Sequence, residues 1–404
     1  MISNTQQFVP EKLAHLSSVM RGYIDRDEVP GLVTAVCRSD EVHVEAFGVQ
    51  DLESKTPMRR DSIFRIASVS KPITAAAAMI LVEQGKFKLD DAIFKWLPEL
   101  QNMRVLRSIE ANIDDTVPAK RPITVRDLLT FQMGLGFIVA EPGTYPIQQA
   151  LAEAGLMPGP IPPQVTADQW LSNLASMPLA YQPGDRWLYH TGSDVLGVLI
   201  ARVANTTLEY FLTERLFHPL DMKDTSFYVP PEKMDRFATS YFPDPEKKLV
   251  VFDPARGGNW SSPPPFQSGG AGLVSTADDL LSFGRMMRDK GEYGGKRILQ
   301  SETVNAMLTD QLTPGQKAIS SFYPGFWDTR GWGLGMAIFT TADAFSQVPG
   351  RFGWDGGLGT SWCSHPAEDL VGILLTQKGW TSPVPPPVCA DFWRSTYEAI
   401  RGHS

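Results

Sequence analysis

Two strand-like runs near the start of the chain, Gly31-Leu32-Val33-Thr34-Ala35-Val36-Cys37 and Val42-His43-Val44-Glu45-Ala46-Phe47-Gly48-Val49, stand far from the later strand-like runs at 332–340, 360–364 and 371–376. The polar link Arg38-Ser39-Asp40-Glu41 makes the first two an antiparallel hairpin. From about Lys88 to Asp221 the apolar spacing is mainly helical, as at 125–129, 167–174 and 193–203. Helical patterns also open and close the chain, at 11–25 and 391–400. This order predicts an α/β (α+β) fold in which an antiparallel sheet, flanked by the terminal helices, is assembled from both ends of the chain. The expected division is 1–87 with 265–404 for the sheet-bearing domain and 88–264 for a mostly helical domain. Proline-rich breaks at 142–163, 230–231, 263–265 and 383–387 cannot continue helix or central strand, so ordered loops are expected there.

With 404 residues, 43% hydrophobic and 20% charged, the chain has the make-up of an ordinary soluble globular protein with room for two domains. A formal net charge of −8 and the lack of a dense Lys/Arg cluster argue against a nucleic-acid partner. The opening Met1-Ile2-Ser3-Asn4-Thr5-Gln6-Gln7-Phe8-Val9-Pro10 has neither a basic nor an apolar segment of the signal-peptide kind, so a cytoplasmic protein is expected. No apolar run approaches a membrane span, so no membrane partner is expected. The three cysteines, Cys37, Cys363 and Cys389, are widely spaced and are expected to be reduced and packed. The six histidines form no His-x-His or His-Glu-x-x-His unit, and Gly331-Trp332-Gly333-Leu334-Gly335 does not open a helix. Neither a metal nor another cofactor is therefore expected.

The chemistry centres on Phe64-Arg65-Ile66-Ala67-Ser68-Val69-Ser70-Lys71-Pro72, a short apolar strand-like run that leads into the Ala-rich helix 74–84, closed by Gly85. Residues i and i+3 share a helix face, so the Lys71 amine can reach the Ser68 hydroxyl. An alcohol is a poor nucleophile at neutral pH, and a desolvated lysine with a lowered pKa can take its proton. Pro72 falls in the first turn, where its missing N–H does least harm. Taken alone, Ser68 reads as well as an N-cap and Lys71 as a solvated first-turn charge.

Acyl transfer through a serine also needs a proton shuttle and two N–H donors for the oxyanion. Tyr189 follows a Pro183-Gly184 turn on a tight loop, and Thr191 or Ser193 is expected to cap the helix after it. A phenol near a cationic lysine loses its proton more readily, which suits a general base and acid; a packed tyrosine bonded to backbone is the open alternative. The run Gly353-Trp354-Asp355-Gly356-Gly357-Leu358-Gly359 lets backbone N–H groups approach a ligand, or forms a hairpin turn.

Taken in order, the segments 64–90, 183–197, 269–279 and 354–362 resemble the serine β-lactamase and penicillin-binding-protein superfamily, specifically its class C β-lactamase-like esterases, the family VIII carboxylesterases. The resemblance implies a β-lactamase/transpeptidase-like fold with the active site between the two domains. It implies Ser68 as nucleophile, Lys71 as its proton partner and Tyr189 as the tyrosine of a Tyr-x-Asn element. The backbone N–H groups of Ser68 and Gly357 would form the oxyanion hole, and Thr191, Trp354, Asp355 and Gly356 would contact substrate. Thr191 stands where the family has Asn, and Trp354-Asp355-Gly356 where it has Lys-Thr-Gly. An indole and an acid in place of a cation weaken any grip on a substrate carboxylate and cost a neutral ester nothing. The expected activity is hydrolysis of small, neutral carboxylic esters. Amide or β-lactam hydrolysis, D-amino-acid peptidase action and acyl transfer are the alternatives on the same fold. A catalytically silent scaffold is disfavoured because Ser68, Lys71 and Tyr189 are all retained.

Overall fold

The computed structural model describes residues 7–401, so the stretch 1–6 and His403 lie outside it. Helix α1 (Pro10–Asp25) starts with proline in its first turn and leads to β1 (Gly31–Arg38) and β2 (Glu41–Gly48). These form the expected hairpin, with Arg38 opposite Glu41. Next come α2 (Ser70–Glu83), α3 (Thr191–Ala204) and α4 (Ala277–Arg288). Strands β3 (Arg330–Trp332), β4 (Ala337–Phe339), β5 (Phe352–Gly356), β6 (Thr360–His365) and β7 (Leu370–Thr376) follow, and α5 (Pro387–Ala399) closes the fold.

The strands make one seven-stranded sheet in the order β3-β4-β5-β6-β7-β1-β2, antiparallel at every pairing. The N-terminal hairpin joins the C-terminal strands through β1 against β7, Ala35 opposite Ile373. Both strands are buried along their whole length because helices cover both faces, α1 and α5 on one and α4 on the other. Apolar packing continues from Val33 on β1 through Ile73 on α2 to Leu199 on α3, while on the other face Leu32, Val36 and Leu374 pack with α1 and α5 in a second cluster. Cys37, Cys363 and Cys389 are free and buried. No single helix among the described residues is long and apolar enough to cross a membrane.

Four expectations need correction. The segment after the helices contributes five strands instead of three, because the run expected at 332–340 folds back on itself as β3 and β4, and Phe352–Gly356 takes extended backbone between β4 and β6 despite its glycines. The mainly helical region also holds the hairpin Arg104–Leu106 with Thr116–Pro118, and a second hairpin, Ser240–Asp244 with Lys248–Asp253, follows. Two of the proline runs are partly helical: 142–163 holds a helix at Pro146–Glu153, and near the end Pro386 is the N-cap of α5 and Pro387 its first residue. Finally, α3 begins at Thr191, and neither Thr191 nor Ser193 caps it; its N-cap is His190, with no side-chain cap bond.

Candidate active site

The loop carrying Ser68 is pinned from three sides. Phe64–Arg65 pairs with Val274–Ser275, the Ile66 N–H donates to the Leu273 carbonyl at 3.0 Å, and the Thr360 hydroxyl donates to the Ile66 carbonyl at 3.0 Å. Gly356 makes this possible, because a Cβ there would lie 2.3 Å from the Ile66 oxygen. Gly356 thus packs β5 against the serine loop, and it is buried. Ala67 sits at φ +45°, a left-handed conformation that costs energy for a residue with a Cβ, immediately before Ser68 in a 3-10 turn. Ser68 itself is half-buried and faces a cavity of about 140 Å³.

Lys71 is 1% exposed. Its Nζ lies 2.9 Å from Ser68 Oγ, 2.7 Å from the Gly270 carbonyl oxygen and 3.2 Å from His190 Nδ1. Burial lowers its pKa from 10.5 to about 7, and the Asp194 charge only partly opposes that. Near neutrality a large share of Lys71 is therefore the free amine that can accept the Ser68 proton.

Tyr189 lines the same cavity, its ring 25° from parallel with Trp187 at 5.6 Å and edge-on to Phe131 at 5.5 Å. Its hydroxyl accepts the Trp354 Nε1–H at 2.6 Å. Burial drives its pKa upward, and the hydrogen bonds with Ser68 and Trp354 do not offset it. This is opposite to the direction expected from a cationic neighbour. Lys71 Nζ lies over the ring face, 4.5 Å from its centroid. Tyr189 is a phenol at neutral pH, able to donate a proton.

The other expected contacts divide. Trp354, Asp355 and Gly357 are walls of the cavity, whereas Thr191 is buried and is not one of them. Among the described residues, neither the Ser68 nor the Gly357 N–H meets an acceptor, and both residues face the cavity. Asp355 accepts the Ser361 hydroxyl at 2.5 Å, and burial raises its pKa. A second cavity of about 240 Å³ adjoins the first through Trp354, Asp355, Arg330 and Pro385. Arg330 stacks on Phe326 and Phe339, 5.1 and 5.0 Å from their centroids.

Sequence reasoning missed His190 and Asp194. His190 Nε2 lies 3.2 Å from Asp194 Oδ2, and both side chains are buried. The available signal was their i, i+4 spacing at the start of a helix directly after Tyr189.

A family model described as Beta-lactamase matches residues 16–386. The chain is similar to Protein Rv1367c of Mycobacterium tuberculosis (strain ATCC 25618 / H37Rv), 39% identical over 368 residues that cover 89% of this chain and 88% of that one. It is also similar to Esterase EstB of Burkholderia gladioli, 29% identical over 391 residues, 91% of each chain. Among solved structures, EstCE1, "a hydrolase with promiscuous acyltransferase activity", superposes with a TM-score of 0.78 at 27% identity, over 96% of this chain and 99% of that one.

Proposed function

The chain belongs to the beta-lactamase family, and from that premise we propose that it hydrolyses small, neutral carboxylic esters through an acyl-Ser68 intermediate. The observation that carries this reading is the buried Lys71 amine 2.9 Å from Ser68 Oγ, with its pKa near 7. The amine takes the Ser68 proton as Oγ attacks the ester carbonyl. The Ser68 and Gly357 N–H groups, which meet no acceptor among the described residues, receive the oxyanion. Tyr189, oriented by Trp354 Nε1, gives a proton to the departing alkoxide and is restored from Lys71. Water then repeats the sequence on the acyl-enzyme.

The preference for neutral esters rests on charge. Asp355 stands in the cavity beside Ser68, and Arg330 is the nearby cation on its wall, so the two offset each other and offer an anionic substrate no net attraction. Acyl transfer is a second reading, favoured by the adjoining cavity of about 240 Å³, which has room for an acceptor alcohol.

The test compares short-chain p-nitrophenyl esters with a chromogenic cephalosporin. Ester hydrolysis is expected to be the faster reaction and to be lost in Ser68→Ala by about 10⁴-fold or more. Esterase activity that survives in Ser68→Ala would sink the mechanism, and faster cephalosporin turnover would sink the substrate class. Trp354→Phe keeps the apolar wall but removes the donor to Tyr189. It is expected to lower kcat for a short ester about fivefold with KM little changed, since one such hydrogen bond contributes roughly 1 kcal/mol; a change confined to KM would assign Trp354 to binding alone.

A further inference from the structure

His190 is held in an unusual way. Its backbone lies at φ +86° and ψ −67°, and the Thr191 N–H donates across it to the Tyr189 carbonyl at 3.3 Å, a γ-turn of the rare positive-φ kind. Residues with a Cβ avoid this conformation, and strain of this sort collects where a side chain must be aimed. Here it aims the imidazole between Lys71 and Asp194.

The hydrogen bonds assign the proton on the ring. Asp194 Oδ1 accepts the Ser268 hydroxyl at 2.6 Å and the Gly270 N–H at 3.0 Å, which leaves Oδ2 for His190 Nε2 at 3.2 Å. Burial alone would raise the Asp194 pKa, but the His190 and Ser268 hydrogen bonds hold it below the ordinary carboxylate value. An ionised carboxylate requires Nε2 to carry the hydrogen, so the Nδ1 lone pair faces Lys71 Nζ at 3.2 Å. Burial and the Lys71 charge keep the imidazole neutral while Lys71 is an ammonium. The charged and titratable groups around the ring are Lys71 from α2, the adjacent Tyr189 and Asp194 from α3, with Asp355 beyond Tyr189. The loop 268–270 contributes only the Ser268 hydroxyl and the Gly270 amide.

We propose that His190 is a second seat for the Ser68 proton: as Lys71 takes the proton from Ser68 Oγ, it passes one of its own to His190 Nδ1, and the Asp194 carboxylate holds the resulting imidazolium. The inference rests on the acyl-Ser68 reading. The step balances without any change of oxidation state. The Oγ–H bond breaks as the Oγ–acyl bond forms, one Nζ–H bond forms as another breaks, and an Nδ1–H bond forms. Lys71 ends as the neutral amine it began as. Collapse of the tetrahedral adduct runs the relay backwards and returns the proton through Lys71 and Tyr189 to the alkoxide. The positive charge rests against a buried anion that is already oriented, instead of beside the nucleophile. His190 is on this account a positioning residue for the proton, acting through Lys71.

The test uses the full chain with ¹⁵N-labelled histidine, the His190 signal being assigned from its loss in His190→Asn. A short alkyl boronic acid, which forms a tetrahedral adduct with a serine oxygen, serves as the probe. In the free protein Nδ1 is expected to be unprotonated, and in the adduct it is expected to be protonated. An adduct that leaves Nδ1 unprotonated overturns the inference and leaves the Ser68 reading standing. A boronate that gives no adduct, or gives one in Ser68→Ala, overturns both. Kinetics supply the second arm. His190→Asn, which tolerates positive φ and can accept from Lys71 but cannot be protonated there, should lose about 10²-fold in kcat/KM. Asp194→Asn removes the charge that supports the Lys71 ammonium, so the acid limb of its pH–rate profile should move down by about one unit. An acid limb that stays in place while activity falls equally at every pH would reduce the pair to structural support and overturn the proposal.

Discussion

With Lys71 as the proposed general base, Lys71→Met is expected to lose about 10⁴-fold in kcat/KM, the upper end of what such a base contributes, and yet to be more stable than the wild type at pH 7. Lowering the pKa of Lys71 from 10.5 to about 7 costs about 4 kcal/mol of stability at neutral pH. Methionine has a similar length and no charge to desolvate. It leaves the Gly270 carbonyl and His190 Nδ1 without their donor, which costs about 1–3 kcal/mol. The desolvation penalty is the larger quantity, so a net gain of about 2 kcal/mol is expected. The sign has a pH signature. The folded-state pKa lies below the unfolded one, so between pH about 7 and 10.5 the unfolded chain binds more protons and the wild type gains stability as pH rises. The advantage of Lys71→Met should therefore be full below about pH 7 and fade towards 10.5. Urea unfolding of both proteins across that window checks it; an advantage independent of pH would place the gain elsewhere.

Arg65→Met should cost about 3–5 kcal/mol of stability, through a charge left alone in the interior. The Arg65 and Asp253 side chains are 2% and 1% exposed, and Arg65 Nε donates to Asp253 Oδ2 at 2.8 Å. The guanidinium also donates to the Ala238 and Pro254 carbonyls and lies 4.0 Å from the centre of the Phe237 ring. Without it, the donors to Asp253 among the described residues are the Asn259 N–H and amide, at 2.7 and 2.9 Å. Arg65 belongs to the short strand that enters the Ser68 loop, so the proposed ester hydrolysis should also decline well below the melting temperature. The double variant Arg65→Met/Asp253→Leu separates the causes, because replacing both partners by apolar groups removes the stranded charge. It should recover most of the lost stability, and a double variant as unstable as the single one would show that the guanidinium's packing and carbonyl contacts dominate.

Much of the fold was legible because its signals are local. The hairpin of β1 and β2, helices α1, α2 and α4, and the reach of Lys71 to Ser68 follow from periodicity and from i, i+3 geometry. Strand β5 was hidden, since Gly353 and Gly356 weaken any local strand preference and its extended form comes from pairing with β4 and β6. Local reasoning also misjudged Tyr189, whose pKa is decided by burial among residues distant in the chain and not by the one charge nearest in kind.

The chain by itself put a serine and a lysine three residues apart at the start of an Ala-rich helix, where one helical turn allows them to meet. Which neighbours complete the site was decided only in three dimensions. The positive φ of His190 turns its ring toward Lys71 and leaves Thr191 buried outside the cavity. Gly270 reaches Lys71 from one distant segment, and the His190–Asp194 pair reaches it from another. The lysine's shift to about 7 is set by desolvation from its whole surroundings, partly opposed by the Asp194 charge, a quantity that no short stretch of residues contains.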